Sequence, residues 1–204
     1  DSGIKNWNDF LKAERVFGIS HKRKNYYDSR IRVSRHKLLE GDSKFFNGEL
    51  KTRDKWRIYE EYKDEALFVD IESDKKKISV LGIYDGKEVY TMIDFIDKEF
   101  FLKKLDSAKI IVTFNGSAFD IPVLEKYFGI KIEIPHVDVF QICRRIGLKG
   151  GLKEIEKKIG LMRGEMLKFV KGSKSAEIYR CWKASGDDYF LELLKAYNEE
   201  DCLN

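Results

Sequence analysis

Short apolar runs separated by polar turns dominate the chain from residue 66 to residue 138. They predict five β-strands, at 66–72, 78–84, 87–93, 109–113 and 134–138. The first run is almost continuously apolar, which is typical of a strand that is buried on both faces. Asp85-Gly86, between the second and third runs, predicts a hairpin turn. The first three strands are therefore expected to form an antiparallel meander.

Stretches with helical spacing separate and follow the later strands. They lie at 97–105, 117–128, 139–146 and 152–159, and the rest of the chain to Leu203 is expected to be helical with breaks at Gly164, Gly172 and Gly186. Strand–helix–strand order favours a parallel pair, so the first strand is expected at the centre of the sheet. The pattern predicts an α/β fold with a mixed five-stranded sheet, three antiparallel strands followed by two parallel ones, and helices on both faces.

Residues 1–64 differ in pattern from the rest of the chain. They contain two candidate helices, at 6–17 and 56–62, and a segment between them with no clear period. We interpret 1–64 as a basic, aromatic-rich extension that packs on a core domain at 65–204. Its aromatic residues are expected to be docking contacts and not a cofactor site.

Composition limits the class of protein. The 204 residues are 43% hydrophobic and 13% aromatic, as in a folded chain long enough to bury a core. No apolar run is long enough to cross a bilayer, and the first residues lack the hydrophobic region of a signal peptide. Three widely spaced cysteines argue against a disulfide framework and a zinc site, so a cytoplasmic protein without membrane contact is expected.

The net charge of +4 is unevenly distributed. Between Arg15 and Lys37 there are eight lysine or arginine residues and one acid, Asp28, and two tyrosines lie within this run. Basic residues mixed with aromatic residues suit a phosphate backbone and the bases attached to it. We expect the run to contact nucleic acid, through side chains that include Lys22, Arg23 and Lys24. The alternative is a solvated surface segment.

Two acids follow the apolar part of the first strand. Asp70 and Glu72 are two residues apart, so in a strand their side chains point to the same face. Neighbouring carboxylates repel each other when they lose hydration, and a divalent cation with oxygen ligands would compensate for this repulsion. The alternative is a strand that runs into a polar loop with both acids solvated.

Two further motifs supply candidate partners for this pair. Asp120 lies in the first turns of a helix that follows the turn at Asn115-Gly116, where an acid is also an ordinary helix-start residue. Near the end of the chain, Tyr197 and Asp201 are four residues apart and share one helical face. The alternative for this pair is a polar helix with a partly buried tyrosine, and Glu199 and Glu200 are expected to be solvated.

Taken together and in this order, the motifs resemble those of the DEDDy group of 3′–5′ exonucleases, in the ribonuclease-H-like superfamily. The resemblance is carried by Asp70-x-Glu72, Asn115-x-x-x-Phe119-Asp120-x-Pro122-x-Leu124 and Tyr197-x-x-x-Asp201. The chain is most similar to the YprB-like predicted exonucleases, through His136-x-Asp138, Arg144-Arg145, Leu152-Lys153-x-x-Glu156, Gly160-Leu161-x-Arg163, Gly186-Asp187, Trp7-x-Asp9-Phe10-Leu11 and Trp56-Arg57-x-Tyr59-Glu60. It departs from that pattern at Tyr197, where we expect a histidine; tyrosine matches the wider DEDDy group.

The resemblance implies a role for each motif residue. The acids expected to bind two divalent cations, Mg²⁺ or Mn²⁺, directly or through water are Asp70, Glu72, Asp120 and Asp201. Tyr197 is expected to orient the attacking water, because a phenol with an ordinary pKa near 10 is a poor base. Asn115 and Phe119 are candidate substrate contacts, although Phe119 has core packing as an alternative.

The activity implied is metal-dependent 3′–5′ exonucleolytic hydrolysis of nucleic acid, with DNA preferred to RNA. Its expected partners are DNA or RNA 3′ ends and a helicase or another replication or repair protein. Two alternatives remain open at this stage. One is an endonuclease on the same fold, and the other is a catalytically silent nucleic-acid-binding module that assists such a protein.

Overall fold

The computed structural model describes residues 3–74, 77–164, 167 and 175–204. The strands within these ranges are β1 (Ala66–Asp74), β2 (Lys77–Tyr84), β3 (Val89–Ile93), β4 (Ile110–Thr113) and β5 (His136–Asp138). The α-helices are α1 (Trp7–Lys12), α2 (His21–Leu39), α3 (Ser43–Glu49), α4 (Tyr59–Tyr62), α5 (Lys98–Ser107), α6 (Asp120–Phe128), α7 (Val139–Arg145), α8 (Leu152–Ile159), α9 (Ser175–Ser185) and α10 (Asp188–Leu203). Two 3₁₀-helices, Thr52–Ile58 and Lys63–Glu65, flank α4.

The five strands form one mixed sheet in the order β3-β2-β1-β4-β5. β1 pairs antiparallel with β2 and β2 antiparallel with β3, whereas β1–β4 and β4–β5 are parallel. This is the predicted sheet, with β1 at its centre. Its parallel pairing with β4 covers only Ala66 to Phe68, so β1 continues beyond its neighbour toward the acids.

Several predicted boundaries differ from the structure by one to three residues, and two of these differences have a clear local reason. β3 begins at Val89 and not at Lys87, because the Lys87 and Glu88 N–H groups donate to Asp85 Oδ1 and form the turn instead. α6 begins at Asp120 and not at 117, because Asn115 adopts a left-handed conformation, with φ of 62°, and the chain turns there. The predicted break at Gly172 lies outside the described residues.

Helices cover both faces of the sheet, as predicted. On one face, β1 side chains such as Val69 and Ile71 pack in a buried cluster with Phe101 of α5 and Leu124 of α6. On the other face, α9 and α10 pack against Val80 of β2. Because alternate residues of a strand face opposite sides, Asp70 and Glu72 lie on the α10 side of β1.

The segment before β1 covers the rest of this second face. Phe46, Ile58 and Tyr62 form a buried cluster with Ile110 and Val112 of β4. Phe46, Ile58 and Tyr62 thus join the segment before β1 to the sheet by packing contacts. None of the helices in the described ranges is long and apolar enough to span a membrane.

Two elements in this segment differ from the sequence-based expectation. Most of the basic run, which was expected to have no regular period, lies in one helix, α2, which is capped by Ser20 through a bond from the Arg23 N–H. It has almost no apolar face, so its helical period leaves little mark in the hydrophobic pattern. The helix expected at 6–17 is shorter and ends at Lys12, where Ala13 is extended.

Candidate metal centre

Three of the predicted site acids meet on the α10 side of the sheet. One carboxylate oxygen from each of Asp70, Glu72 and Asp201 lies within 4.8 Å of the others. The first two come from the rigid central strand and the third from α10. Among the described residues this is the one group of three or more potential metal ligands that meets that spacing.

A glycine in β2 allows α10 to approach the sheet this closely. Gly82 lies opposite Asp70 in the β1–β2 register. A Cβ atom at Gly82 would lie 2.1 Å from Asn198 Oδ1 and 2.7 Å from Cys202 Sγ. Any side chain at this position would therefore push α10 away, and the face of α10 that bears Asp201 would move with it.

Each of the three acids contacts at least one polar side chain from another part of the chain. The Asn198 amide donates to Asp70 Oδ2 at 2.8 Å, and Asn198 is fully buried. The Ser175 hydroxyl donates to Glu72 Oε2 at 2.6 Å from the start of α9. Outer partners of this kind orient metal-binding carboxylates before a cation binds.

The third acid is held by an arginine. Arg163 Nη2 lies 2.5 Å from Asp201 Oδ1. The same guanidinium donates to both oxygens of Glu156, at 2.8 Å from Nε and 2.6 Å from Nη2. Glu200 accepts the Gly164 N–H at 2.8 Å, so the expectation that Glu200 is solvated is wrong. These bonds tie residues 163 and 164 to α8 and α10.

Asp120 reaches the site from a different direction. Because β4 ends at Thr113, the part of β1 near Ile71 has no parallel neighbour, and the Ile71 N–H donates to Asp120 Oδ1 at 3.0 Å. Asp120 is buried and adds its charge to the environment of Asp70. It lies beside the three-acid group without belonging to the set that meets within 4.8 Å.

Tyr197 lies one turn before Asp201 and is buried. Burial raises the pKa of its phenol well above the ordinary value, and the nearby Asp201 carboxylate, its hydrogen-bond partner, adds to the increase. Lys153 Nζ lies 4.3 Å from the centre of the Tyr197 ring on one side, and the Arg163 guanidinium also contacts this ring. Tyr197 is therefore neutral at physiological pH and can donate a hydrogen bond.

Burial of several carboxylates together raises their pKa values. The pKa of Glu72 rises to about 7, chiefly through burial, and that of Asp120 rises to about 6 for the same reason. Burial is the largest cause of the raised pKa of Asp70, and repulsion from Asp201, Glu72 and Asp120 raises this pKa further. The pKa of Asp201 is also raised by burial, although Arg163 opposes this effect. The protein thus holds negative charge here at a cost in stability.

This arrangement fits a divalent cation. Carboxylate oxygens are the ligands that Mg²⁺ and Mn²⁺ prefer. The described residues of the site offer four carboxylates as candidate ligands and no cysteine ligand. The nearby cations are Lys153 and Arg163, and Arg163 is shared with Glu156. Binding of a cation by Asp70, Glu72 and Asp201 would relieve the repulsion that raises their pKa values.

We expect the metal-free protein to lose stability as pH rises from about 6.5 through about 7, the raised pKa of Glu72. An acid with a raised pKa binds its proton more tightly in the folded state, so its contribution to stability falls as pH rises from its ordinary pKa through the raised one. For Glu72 that window ends at about pH 7, and the raised pKa of Asp70 acts in the same direction. Burial lowers the pKa of His136 to about 4. This shift makes stability rise with pH, but only below the ordinary histidine pKa near 6.5. Thermal melts should show this decrease as a fall in melting temperature of roughly 2–4 °C for each kcal/mol of unfolding free energy lost.

Two companion measurements test the origin of this pH dependence. Mn²⁺ added at about pH 8 should raise the melting temperature, because it neutralises the acids that repel each other there. Glu72→Gln should flatten the pH profile of the metal-free protein. A profile that rises over this range, or a melting temperature that Mn²⁺ leaves unchanged, would contradict the assignment.

The loop between β4 and α6 carries the two predicted substrate contacts. Asp138 braces this loop by accepting the Asn115 N–H at 2.9 Å and the Ser117 N–H at 3.2 Å. Both the Asn115 side chain and the Phe119 ring are solvent-exposed, the ring at 41%, so the core-packing alternative for Phe119 is wrong. The loop thus presents an amide and an aromatic ring directly before Asp120.

His136 supports the same loop from β5. Its Nε2 lies 2.8 Å from Thr113 Oγ1, and Thr113 Oγ1 also accepts the Gly116 N–H at 3.0 Å. The Thr113 hydroxyl therefore links His136 to the loop. His136 and Asp138 thus both support this loop from β5.

The basic residues predicted to contact nucleic acid differ in their accessibility. Lys22 and Arg23 are exposed near the start of α2. Lys24 is 4% exposed, and its ammonium binds both oxygens of Asp28 at 2.7 Å. It also lies 4.9 Å from the centre of the Phe10 ring. The inclusion of Lys24 as a substrate contact is therefore wrong, because its ammonium is already occupied in joining α1 to α2.

Sequence reasoning missed the residues that hold the acids. Asn198 carried a usable signal, since it lies three residues before Asp201 and shares its helical face. Arg163 stood out only as part of a motif. Ser175 is 103 positions away from Glu72 and has no local signal. Gly82 also carried no specific sequence signal, because a glycine within a strand is usually interpreted as a β-bulge.

Neither the curated protein sequences nor the solved structure described below gives a strong match to this chain. No curated protein matches the chain in sequence. The solved structure described as the EXD2 exonuclease domain soaked in Mn and GMP is 15% identical, covers 72% of this chain and 82% of that chain, and has a TM-score of 0.30. Similarity at this level says nothing about the site or activity of the present protein.

A family match is more extensive. Residues 67–204 match the family RNase_H_2, which is described as RNase_H superfamily. The match covers β1 to β5 and α5 to α10, and with the observed sheet order it confirms the predicted α/β fold of the ribonuclease-H-like type. Because the match spans more than half of the chain, the protein belongs to the RNase H superfamily.

Proposed function

We propose that the protein is a metal-dependent nuclease that hydrolyses phosphodiester bonds from the 3′ end of a nucleic-acid strand, with DNA preferred. One observation carries the proposal: Asp70, Glu72 and Asp201 meet within 4.8 Å on a rigid strand and a packed helix. Asp120 supplies a fourth carboxylate beside them. The 3′ polarity and the DNA preference rest on the resemblance of the motifs.

The four acids would bind Mg²⁺ or Mn²⁺. A pair of such cations would lower the pKa of water and offset the charge on the attacking and leaving oxygens. Asn198, Ser175 and Arg163 each hold one of the acids, so the ligand atoms need little rearrangement to bind. We therefore propose that these three residues preorganise the site.

Tyr197 orients water and does not remove its proton. Its raised pKa keeps the phenol protonated, and the phenol is a hydrogen-bond partner of Asp201. A neutral phenol beside the metal ligands can hold a water molecule in line with the phosphorus atom. The exposed Phe119 ring, next in sequence to Asp120, suits a stacking contact with a terminal base, and Asn115 suits a sugar or phosphate contact.

The exposed basic residues at the start of α2 are proposed to guide the strand. Replacing Lys22 and Arg23 together with alanine should weaken DNA binding and lower the slope of log K against log salt by about 2, since each side chain would neutralise one phosphate. The measurement is fluorescence anisotropy with a labelled oligonucleotide at several salt concentrations. Lys103→Ala with Lys126→Ala removes the same charge from α5 and α6 and should leave the slope nearly unchanged. Equal losses in the two double variants would refute a specific role for α2.

The decisive experiment for the activity is a product ladder. End-labelled single- and double-stranded DNA and RNA are incubated with the protein and Mg²⁺ or Mn²⁺. Stepwise shortening from the 3′ end is the expected result, and it should be faster on DNA. Internal fragments would favour an endonuclease, and binding without cleavage under every metal condition would favour a silent accessory module.

A further inference from the structure

A cavity of about 370 Å³ adjoins the acid site along α8. Its described lining consists of Lys153, Glu156 and Lys157 of α8, followed by Leu161, Met162, Arg163 and Leu167. This volume falls within the roughly 300–1,000 Å³ typical of small-molecule sites. The cavity has a basic side and an apolar side, so its two sides would suit different parts of a ligand.

The basic side comes from one helical face and one arginine. Lys153 and Lys157 are four residues apart and lie one above the other on α8. Arg163 stands opposite, where Glu156 and Asp201 hold its guanidinium through Nε and Nη2. An anion in the cavity would meet three cationic side chains, and the one carboxylate in the described lining, Glu156, is paired with Arg163.

One nitrogen of the Arg163 guanidinium, Nη1, takes no part in these contacts. Arg163 Nη1 is buried, and no described residue accepts a hydrogen bond from it. The whole side chain is only 7% exposed. A buried donor without an acceptor costs free energy, and an anionic oxygen in the cavity would remove that cost.

The apolar side consists of Leu161 and Met162. α8 is capped at its C-terminal end by Gly160, whose left-handed conformation, with φ of 83°, turns the chain back along the helix. The Leu161 N–H then donates to the Glu156 carbonyl at 2.9 Å, which holds the turn. Leu161 is 40% exposed and Met162 83% exposed, so both offer apolar surface to a ligand.

The cavity is continuous with the acid site through two of its lining residues. Arg163 bonds directly to Asp201, and Lys153 covers one side of the Tyr197 ring. A ligand held by these cations would therefore lie next to the phosphodiester that the acids would cleave. An ammonium next to the carboxylate cluster also draws a polyanion toward it.

We propose that this cavity is a subsite for one nucleotide of the substrate strand, with its phosphate on Lys157, Lys153 and Arg163 Nη1 and its base against Leu161 and Met162. The subsite rests on the proposed nuclease function, since it assumes that a nucleic-acid strand passes the acid site. A nucleotide unit combines an anionic group with a flat apolar face, which matches the two sides of the cavity. Sequence preference is not required, because both sides recognise features common to all nucleotides.

The test measures binding of a labelled single-stranded oligothymidylate to the Asp70→Asn protein, in which we expect cleavage to be abolished. Within this background, Lys157→Ala should weaken binding about fivefold or more and lower the salt slope by about 1, whereas Met162→Ala should weaken binding with an unchanged slope. Lys158→Ala and Ile146→Ala are the matched controls, because each removes an exposed side chain of the same kind outside the cavity lining. Both controls should bind within about twofold of the parent.

The outcomes separate this proposal from the nuclease proposal. Equal losses for Lys157→Ala and Lys158→Ala, or full binding by Met162→Ala, would overturn the subsite. The product ladder of the unmodified protein is read independently. If that ladder shows cleavage while the cavity variants bind like their controls, only the subsite fails. If no substrate is cleaved while the cavity variants lose binding as expected, the subsite stands as a binding site and the nuclease proposal fails.

Discussion

Asp70→Asn is expected to abolish cleavage while raising the melting temperature of the metal-free protein. Asparagine keeps the shape of the side chain but removes a charge that burial and three neighbouring acids oppose. Loss of an outer partner of a metal ligand typically costs about 10–100-fold, so loss of a ligand itself should cost at least about 100-fold in rate. The metal-free protein should gain stability, visible as roughly 2–4 °C for each kcal/mol gained.

This combination of opposite effects identifies a functional acid. A residue needed only for folding would lose activity and stability together. Rates are measured with labelled DNA in Mg²⁺ and in Mn²⁺, and melting temperatures are measured after removal of divalent cations. Glu192→Gln is the control, because Glu192 is an exposed acid on α10, away from the cluster, and should change neither quantity. Full activity of Asp70→Asn would rule out Asp70 as a ligand.

Gly82→Ala is expected to disable the site without changing any acid. The added Cβ would lie 2.1 Å from Asn198 Oδ1 and 2.7 Å from Cys202 Sγ, distances that real atoms do not tolerate. Both neighbours are buried on α10 and have little space to move. Overpacking of this kind costs about 1–3 kcal/mol, and sometimes more. Displacement of Asn198 would also release Asp70, so Mn²⁺ affinity should fall by about 10–100-fold.

A second glycine provides the matched control. Gly48 lies in α3 and is exposed, and a Cβ atom added there would meet no other atom within 4 Å. Gly48→Ala should be neutral or stabilising, by about 0.5–1 kcal/mol, because alanine is the better helix former. Denaturation midpoints and Mn²⁺ titrations of both variants give the comparison. If Gly82→Ala kept its Mn²⁺ affinity and stability, the close approach of α10 would not be what assembles the site.

The elements that could be predicted are those with a local cause. β1 was predicted within two residues, because a continuous apolar run in a central strand has few alternative structures. α8 was predicted at its exact bounds, because Gly160 ends its pattern. The order of strands and helices then limited the sheet to few arrangements, and the observed order is the predicted one.

The predictions for α2 and Lys24 were wrong for reasons that are also local. α2 left almost no hydrophobic period, because a helix that exposes nearly all sides needs no apolar face. Lys24 was grouped with its exposed neighbours because charge alone does not indicate burial. In the helix it lies one turn from Asp28, and that pairing buries its ammonium between α1 and α2.

For the site, the sequence by itself determined which acids were candidates and that Asp70 and Glu72 share one face of a strand, because side-chain direction in a strand alternates at every residue. Only the tertiary structure decided that Asp201 meets this pair within 4.8 Å while Asp120 bonds to the Ile71 N–H. It also decided that Gly82, Ser175 and Arg163 belong to the site. These relations join positions far apart in the chain, and they depend on how closely α10 packs on β2, a distance set by the absence of a side chain at Gly82.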